Sequence, residues 1–145
     1  MMEKDDFDLQ NFLPYLLNQA AEESSLAFQQ VYKDRYGMLR TEWRVLFHLG
    51  IYGRMTAKDI GQRSKMHKTK ISRAVARLAE RRFLNRQQDD KDRRLEYLEL
   101  THLGRTAYRD LLTVAQTYDD KLSASLTTEE NEVLRQVLRK LAKMG

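Results

Sequence analysis

Cysteine is absent from this 145-residue chain, and proline, glycine and long apolar runs are scarce. Without Cys, disulfide frameworks, thiolate-bound zinc, iron–sulfur clusters and thiol catalysis are excluded. One Pro and six Gly are too few for a many-turned β-sandwich or a flexible linker. No apolar run approaches the roughly 20 residues that cross a bilayer. Four of the first eight residues are acidic, unlike the basic start of a signal peptide, so we expect a cytoplasmic protein without a membrane partner.

The net charge of +5 hides an uneven distribution along the chain. Between residues 54 and 94 there are 14 Lys or Arg against five Asp or Glu, which gives this segment a net charge of +9. The rest of the chain carries a net charge of −4. A basic centre between acidic flanks is typical of a surface that meets phosphate groups, and it favours nucleic-acid binding over mere solvation of helices.

Apolar periodicity predicts a mainly α-helical chain with one small β-hairpin. Long helices are expected over residues 9–36 and 101–126, and a last helix opens at a Thr127 capping box. Short helices are expected over residues 41–49, from a second capping box at Thr56, and over residues 68–82. Extended runs at 84–88 and 94–100 flank a polar tip, as in a hairpin. Short helices, then a basic helix and a hairpin, are the order of a winged helix-turn-helix.

The basic helix predicted over residues 68–82 has two distinct faces. Its apolar residues follow the helical spacing i, i+3, i+4, i+7 from Ile71, whereas Lys70, Arg73 and Arg77 lie away from them. Arginine binds guanine O6 and N7 with two hydrogen bonds, so Arg73 is predicted to be the main base reader. Other candidate DNA contacts lie at or before the start of the helix, where lysines suit phosphate: Lys65, Lys68, Thr69 and Ser72.

Several motifs resemble the multiple antibiotic resistance regulator (MarR) family. They occur in the family's order and spacing: Glu42-Trp43-Arg44-Val45-Leu46, Ile71-Ser72-Arg73, Asp92-Arg93-Arg94 and Leu100-Thr101-x-x-Gly104. The resemblance covers nearly the whole chain and implies a homodimeric transcription regulator, usually a repressor, whose operator affinity responds to a small molecule. It implies one domain over residues 1–145, with dimerisation helices at 9–36 and 101–145 around a winged helix-turn-helix lobe at 38–100.

Two positions depart from the family pattern. The family usually has Gly where the recognition helix ends, and this chain has Arg82. A side chain in the left-handed conformation expected there costs roughly 1 kcal/mol, so either the helix ends differently or a neighbour offsets the strain. The small polar cap before the Trp43 helix is also displaced, with Leu39 and Arg40 preceding Thr41.

The hairpin tip supplies the remaining DNA-binding candidates. Arg93 or Arg94 is predicted to enter a minor groove, where narrow A·T tracts attract guanidinium groups, and the resemblance favours Arg94. Asp92 is expected to hold the wing by pairing with a nearby Arg, and Lys91 to contact phosphate. Because each protomer supplies one recognition helix, a two-fold dimer is expected to bind a pseudo-palindromic double-stranded DNA operator.

No catalytic, metal or cofactor site is predicted. His48, His67 and His102 are isolated in the sequence and lack metal-ligand spacing, and no phosphate-binding Gly motif is present. A small aromatic or anionic effector is a possible partner, because Phe12, Tyr15, Tyr36 and Trp43 could line a cleft, although ordinary core packing is the favoured interpretation of each of them. Two other functions stay open: a constitutive architectural DNA-binding protein without an effector, and a winged-helix adaptor that binds proteins.

Overall fold

The computed structural model describes residues 6–144, which form six α-helices and three β-strands. The early acidic residues before position 6 lie outside this range. The elements are, in chain order, α1 Leu13–Tyr36, α2 Arg40–Tyr52, β1 Met55–Thr56, α3 Ala57–Ser64, α4 Lys68–Glu80, β2 Leu84–Gln88, β3 Glu96–Leu100, α5 His102–Ser123 and α6 Thr128–Leu141. A mainly helical winged helix-turn-helix with long terminal helices is thereby confirmed.

The hydrophobic core draws on almost every element of the central part of the chain. Five of the completely buried side chains come from five different elements. They are Leu46 of α2, Ile60 of α3, Leu78 of α4, Leu98 of β3 and Leu111 of α5. This shared core holds the basic helix α4 between α2, α3 and the sheet, so its opposite face is left to solvent.

The described strands form one antiparallel sheet in the order β1-β3-β2. β2 has the predicted bounds, and its pairing with β3 runs from Leu84 opposite Leu100 to Gln88 opposite Glu96. β3 begins two residues later than predicted, because the main chain around Arg94 and Leu95 is bonded to Asp92 in the hairpin turn. The two-residue strand β1 was not predicted from the sequence.

Helix caps follow the sequence closely. Both predicted capping boxes are present: Thr56 exchanges hydrogen bonds with Asp59 at 3.1 and 3.2 Å, and Thr127 with Glu130 at 2.9 and 3.1 Å. Thr101 caps α5 by accepting the Gly104 N–H at 3.0 Å. α4 ends at Glu80 instead of residue 82, because Arg82 has already left the helical conformation with φ of 67°.

Three other predicted helix bounds were wrong, and each error has a structural cause. α2 continues past Gly50 to Tyr52. Gly50 does not end the helix; its missing side chain makes room for the ring of Tyr108, which would lie 2.5 Å from a Cβ at this position. Before α1, Asp8 caps a separate 3-10 turn and Phe12 is extended, so the helix starts only at Leu13, beside Pro14. α5 ends at Ser123, three residues early, where a short turn leads to the next cap.

The terminal helices leave wide apolar faces in solvent. Every apolar residue on one side of α6 is between 40% and 51% exposed: Val133, Leu134, Val137, Leu138 and Leu141. Phe12, Leu13 and Leu16 at the start of α1 and Leu122 near the end of α5 are similarly exposed. Across residues 6–144, none of the helices has both the length and the apolar composition needed to span a membrane.

Candidate nucleic-acid interface

The outer face of α4 is polar and basic along its length. Its inner residues Ile71, Ala74, Val75 and Leu78 are buried. Ala76 and Glu80 are exposed, as are six polar or basic outer residues that we call the reading face: Lys68, Thr69, Lys70, Ser72, Arg73 and Arg77. The two faces separate as the helical spacing predicts, so the predicted base reader Arg73 projects into solvent.

The start of α4 is fixed by a histidine N-cap, His67, which the sequence did not predict. His67 Nδ1 accepts the N–H of Thr69 at 3.2 Å, which is the role that Ser, Thr, Asp or Asn usually performs. Lys65, two residues earlier, adopts a left-handed φ of 59° and donates its ammonium to the Ala142 carbonyl just beyond α6. Lys65 was predicted to contact phosphate, whereas here it bonds the chain's own backbone.

The turn between α3 and α4 is held by residues that sequence reasoning missed. Arg44 of α2 donates to the Ser64 carbonyl at 2.7 Å. The Ser64 hydroxyl donates to the Ile60 carbonyl at 2.7 Å and accepts the Met66 N–H at 3.2 Å. Burial lowers the pKa of Arg44, and Arg40 lowers it further. The place of Arg44 in the Glu42-Trp43-Arg44 motif was the sequence feature that could have indicated this contact with the turn.

The wing, residues 89–95 between β2 and β3, is organised around Asp92. Its carboxylate accepts the Arg94 side chain at 3.0 and 3.1 Å and the Arg94 N–H at 3.1 Å. These hydrogen bonds lower the pKa of Asp92 and raise that of Arg94. Asp92 thus has an Arg partner, as the sequence predicts, and the partner is the candidate inserting residue Arg94, whose side chain is 90% exposed.

The stem below the wing is braced by further polar contacts. Asp89 accepts the Asp92 N–H at 2.9 Å, and Gln88 donates to the Arg93 carbonyl at 3.1 Å. Arg86 and Glu96 pair across the two strands with an N–O distance of 2.9 Å. Lys91 and Arg93 are exposed, so the tip presents three cations on a fixed turn.

Two exposed arginines outside the predicted set lie on tyrosine rings. The Arg54 guanidinium is 4.3 Å from the ring centre of Tyr97, and that of Arg63 is 4.0 Å from that of Tyr52. Such stacking fixes a cation while leaving its positive charge uncompensated. Both arginines belong to the +9 segment, and no local sequence pattern pairs either of them with its tyrosine.

The aromatic residues proposed for an effector cleft do not form one group. Trp43 packs in the core against Phe28, Tyr32 and Phe47, with ring centres 4.9–6.0 Å apart. Phe12, by contrast, packs on Phe7 at 5.0 Å. Tyr36 meets Phe83, and Tyr15 bonds Gln19 within its own helix.

Residues 36–95, from the end of α1 through the wing, match the sequence profile of the MarR family. This part of the chain belongs to the MarR family.

Among MarR-family and related regulators, YwaE of Bacillus subtilis, an uncharacterised HTH-type transcriptional regulator, is 26% identical over 107 residues. That match covers 74% of this chain and 63% of YwaE. The Escherichia coli transcriptional repressor MprA is 32% identical over 74 residues, covering 51% of this chain and 42% of MprA. The chain therefore spans less than two thirds of either relative.

The three-dimensional comparison extends over the full domain. The fold matches BpsR of Bordetella bronchiseptica with a TM-score of 0.86 and 21% identity, over 97% of this chain and 100% of that one. DNA binding by BpsR is regulated by 6-hydroxynicotinic acid. MarR-family proteins are transcription regulators and not enzymes, which agrees with the function class expected from the sequence.

Proposed function

We propose that this MarR-family chain is a homodimeric, sequence-specific DNA-binding repressor that a small effector releases from its operator. The observation that carries the proposal is the reading face of α4, where every outward side chain is polar, basic or small and the opposite stripe is buried. A helix with this division can lie in a major groove while its rear remains packed in the domain. The repressor role is supported by the similarity to MprA.

The exposed side chains divide into base contacts and phosphate contacts. Arg73, flanked by Thr69 and Ser72, lies within the first two turns of α4, the part of a recognition helix that reaches base edges. Lys68, Lys70 and Arg77 contact phosphates and thereby set the register of the protein on the duplex. Lys65 joins them only if its ammonium leaves the Ala142 carbonyl.

The wing is proposed to meet the minor groove beside the recognition helix. Arg94 is the inserting group, because Asp92 fixes its orientation through both its backbone and its guanidinium. Lys91 and Arg93 lie on the same turn and contact the adjacent backbone. A narrow groove concentrates negative potential, so this arrangement favours A·T-rich flanks.

Dimerisation is proposed through the apolar faces that the terminal helices leave open. The exposed stripe of α6, together with Leu122 of α5 and the start of α1, is too extensive for a monomeric surface. A second copy related by a two-fold axis covers the same patch on both chains. Helices in the ranges 9–36 and 101–145 thus form the dimer, and residues 38–100 the DNA-binding lobe.

An effector of small aromatic or anionic character is proposed to act beside the aromatic cluster of α1, α2 and α5. Trp43, Phe28 and Tyr118 join these helices, and a ligand that separates them changes the angle between dimer and lobe. The similarity to BpsR, which responds to an aromatic acid, supports this ligand class. Action on chromosomal DNA places the protein in the cytoplasm.

Selection of duplexes from a random pool by the full-length protein tests the proposal. The expected product is a pseudo-palindrome with half-sites about one helical turn apart. Addition of aromatic acids to the selected complex is then expected to release DNA with at least one of them. Enrichment without any release indicates an architectural protein, and absence of any enriched sequence contradicts the proposed function.

A further inference from the structure

A single arginine at the end of α4 joins this helix to the corner between α1 and α2. Arg81 is the residue that follows α4. Its Nη1 donates to the Gly37 carbonyl at 3.1 Å, and its Nη2 donates to the Tyr36 carbonyl. Its guanidinium also lies 5.3 Å from the ring centre of Phe83. The side chain of Arg81, directly after the recognition helix, thus donates hydrogen bonds to two carbonyls at the end of α1.

A buried carboxylate lies behind that guanidinium. Glu42 of α2 is only 1% exposed, and its Oε1 lies 3.9 Å from Arg81 Nη1. Its Oε2 has no hydrogen-bond partner among residues 6–144. Burial raises the pKa of Glu42, while the Leu39 backbone and the charges of Arg77 and Arg81 lower it. Glu42 is the third residue of α2, so its contact with the Leu39 backbone helps to cap that helix. Burying a carboxyl whose second oxygen lacks a partner is nevertheless unfavourable, which makes the nearby charge of Arg81 important to it.

The α1 corner provides space for this contact. Gly37 has a left-handed φ of 60°, and a Cβ at this position would lie 3.3 Å from Arg81 Nη2. A side chain at residue 37 would therefore be strained and would crowd the guanidinium.

The same corner is tied to α5. Tyr36 donates its hydroxyl to Asp110 Oδ2 at 2.6 Å, and Arg35 Nη1 lies 2.8 Å from Asp110 Oδ1. Burial and the hydrogen bond to Asp110 raise the pKa of Tyr36 to about 12, so the phenol keeps its proton at neutral pH. The carbonyls that receive Arg81 thus belong to a segment fixed between the two long helices.

We propose that Arg81, backed by Glu42, is a positioning residue that sets the angle of the recognition helix relative to the dimerisation helices. The inference rests on the proposed function, since it assigns the residues that position its reading face. A two-fold dimer reads two half-sites at once, so the angle of each α4 fixes the half-site separation that both can reach. Removing the hydrogen bonds of Arg81 therefore widens the range of half-site separations that the dimer accepts, without removing any DNA contact.

The test uses operators that differ only in the spacing between half-sites. The affinities of the full-length wild type and Arg81→Gln are measured on the selected operator and on versions with one base pair inserted or deleted between half-sites. Arg81→Gln is expected to lower the preference for the native spacing about tenfold, which corresponds to the loss of one charge-assisted hydrogen bond. Arg82→Gln is the matched control, because it removes the same charge one residue away and keeps the wild-type preference.

A salt titration separates positioning from direct contact. Arg81→Gln is expected to keep the wild-type slope of log affinity against log salt, because Arg81 neutralises no phosphate. A slope reduced by about one means that Arg81 contacts DNA itself and overturns the positioning role.

Glu42→Gln supplies a second variant that preserves the shape of the side chain. It removes the charge behind Arg81 and is expected to weaken the spacing preference without lowering the melting temperature, a combination that a purely structural role does not produce. If Arg81→Gln does not fold, this variant decides. An unchanged spacing preference in a folded variant rejects the inference, whereas a wild type with no preferred operator rejects the proposed function itself.

Discussion

Thr101 donates its hydroxyl to the main-chain carbonyl of Arg82 across 2.7 Å. Arg82 has a φ of 67°. Its N–H donates to the Ala79 carbonyl at 3.0 Å, and the Phe83 N–H donates to the Leu78 carbonyl at 2.8 Å. These are the bonds of a Schellman helix end, formed with arginine where glycine is usual. Thr101 therefore holds the strained end of the recognition helix while its side chain also caps α5.

Arg82→Gly is expected to raise the free energy of unfolding by about 1 kcal/mol, because glycine adopts the left-handed conformation without a Cβ clash. Urea denaturation measures the change. Arg82→Ala is the control, since it removes the same charge but keeps the strain, and no gain is expected from it. Equal stabilisation by both variants would locate the effect in the charge instead of the backbone.

Arg73→Ala is expected to weaken operator binding by about 1–3 kcal/mol and to leave binding to random DNA nearly unchanged. The reason is that a guanine-reading side chain contributes only where its base is present. Titrations of both duplexes at one salt concentration measure the ratio. Lys70→Ala is expected to weaken both duplexes by a similar factor, and the same behaviour in Arg73→Ala would place Arg73 among the phosphate contacts.

Adding charge to the open face of α6 is expected to dissociate the dimer. Leu134→Glu with Leu138→Glu places two carboxylates in the proposed contact, where their desolvation is unfavourable. Sedimentation velocity should show monomers at concentrations where the wild type is dimeric. Gln136→Glu, on the opposite side of the helix, keeps the dimer. A dimeric double variant would show that the interface lies elsewhere.

Glu42→Gln is expected to flatten the dependence of stability on pH. Burial raises the pKa of Glu42 in the native state above its ordinary value of 4.5, so the native state binds this proton more readily than the unfolded state. The contribution of the Glu42 carboxyl to the free energy of unfolding therefore falls as the pH rises from 4.5 through its native pKa. The difference between wild type and variant, measured by thermal unfolding from pH 4 upward, isolates this group. A difference that does not change with pH contradicts the prediction.

Local signals in the sequence were sufficient for most elements of the fold. The Thr56 and Thr127 capping boxes, the apolar stripe from Ile71 and the hairpin strand at Leu84 depend on neighbours within a few residues, and each appears as predicted. The reading face follows directly from that stripe, because the exposed side of a helix is fixed once its buried side is known.

Features that depend on distant residues could not be predicted in this way. β1 is only two residues long and exists because Met55 pairs with Leu98, more than forty positions away. Gly50 suggested a helix end, whereas the ring of Tyr108 in α5 determines its use. The contact between Arg81 and the Tyr36 carbonyl likewise joins residues 45 positions apart, and no local sequence pattern predicts it.

Hydroxyl-radical footprinting on the selected operator tests most directly whether α4 and the wing bind DNA together. The wild-type dimer is expected to protect two backbone segments about one helical turn apart, with a further protected minor-groove segment outside each. Arg94→Ala should lose the outer protection and keep the inner pair. Uniform protection along the duplex, or outer segments that persist in Arg94→Ala, would contradict the account.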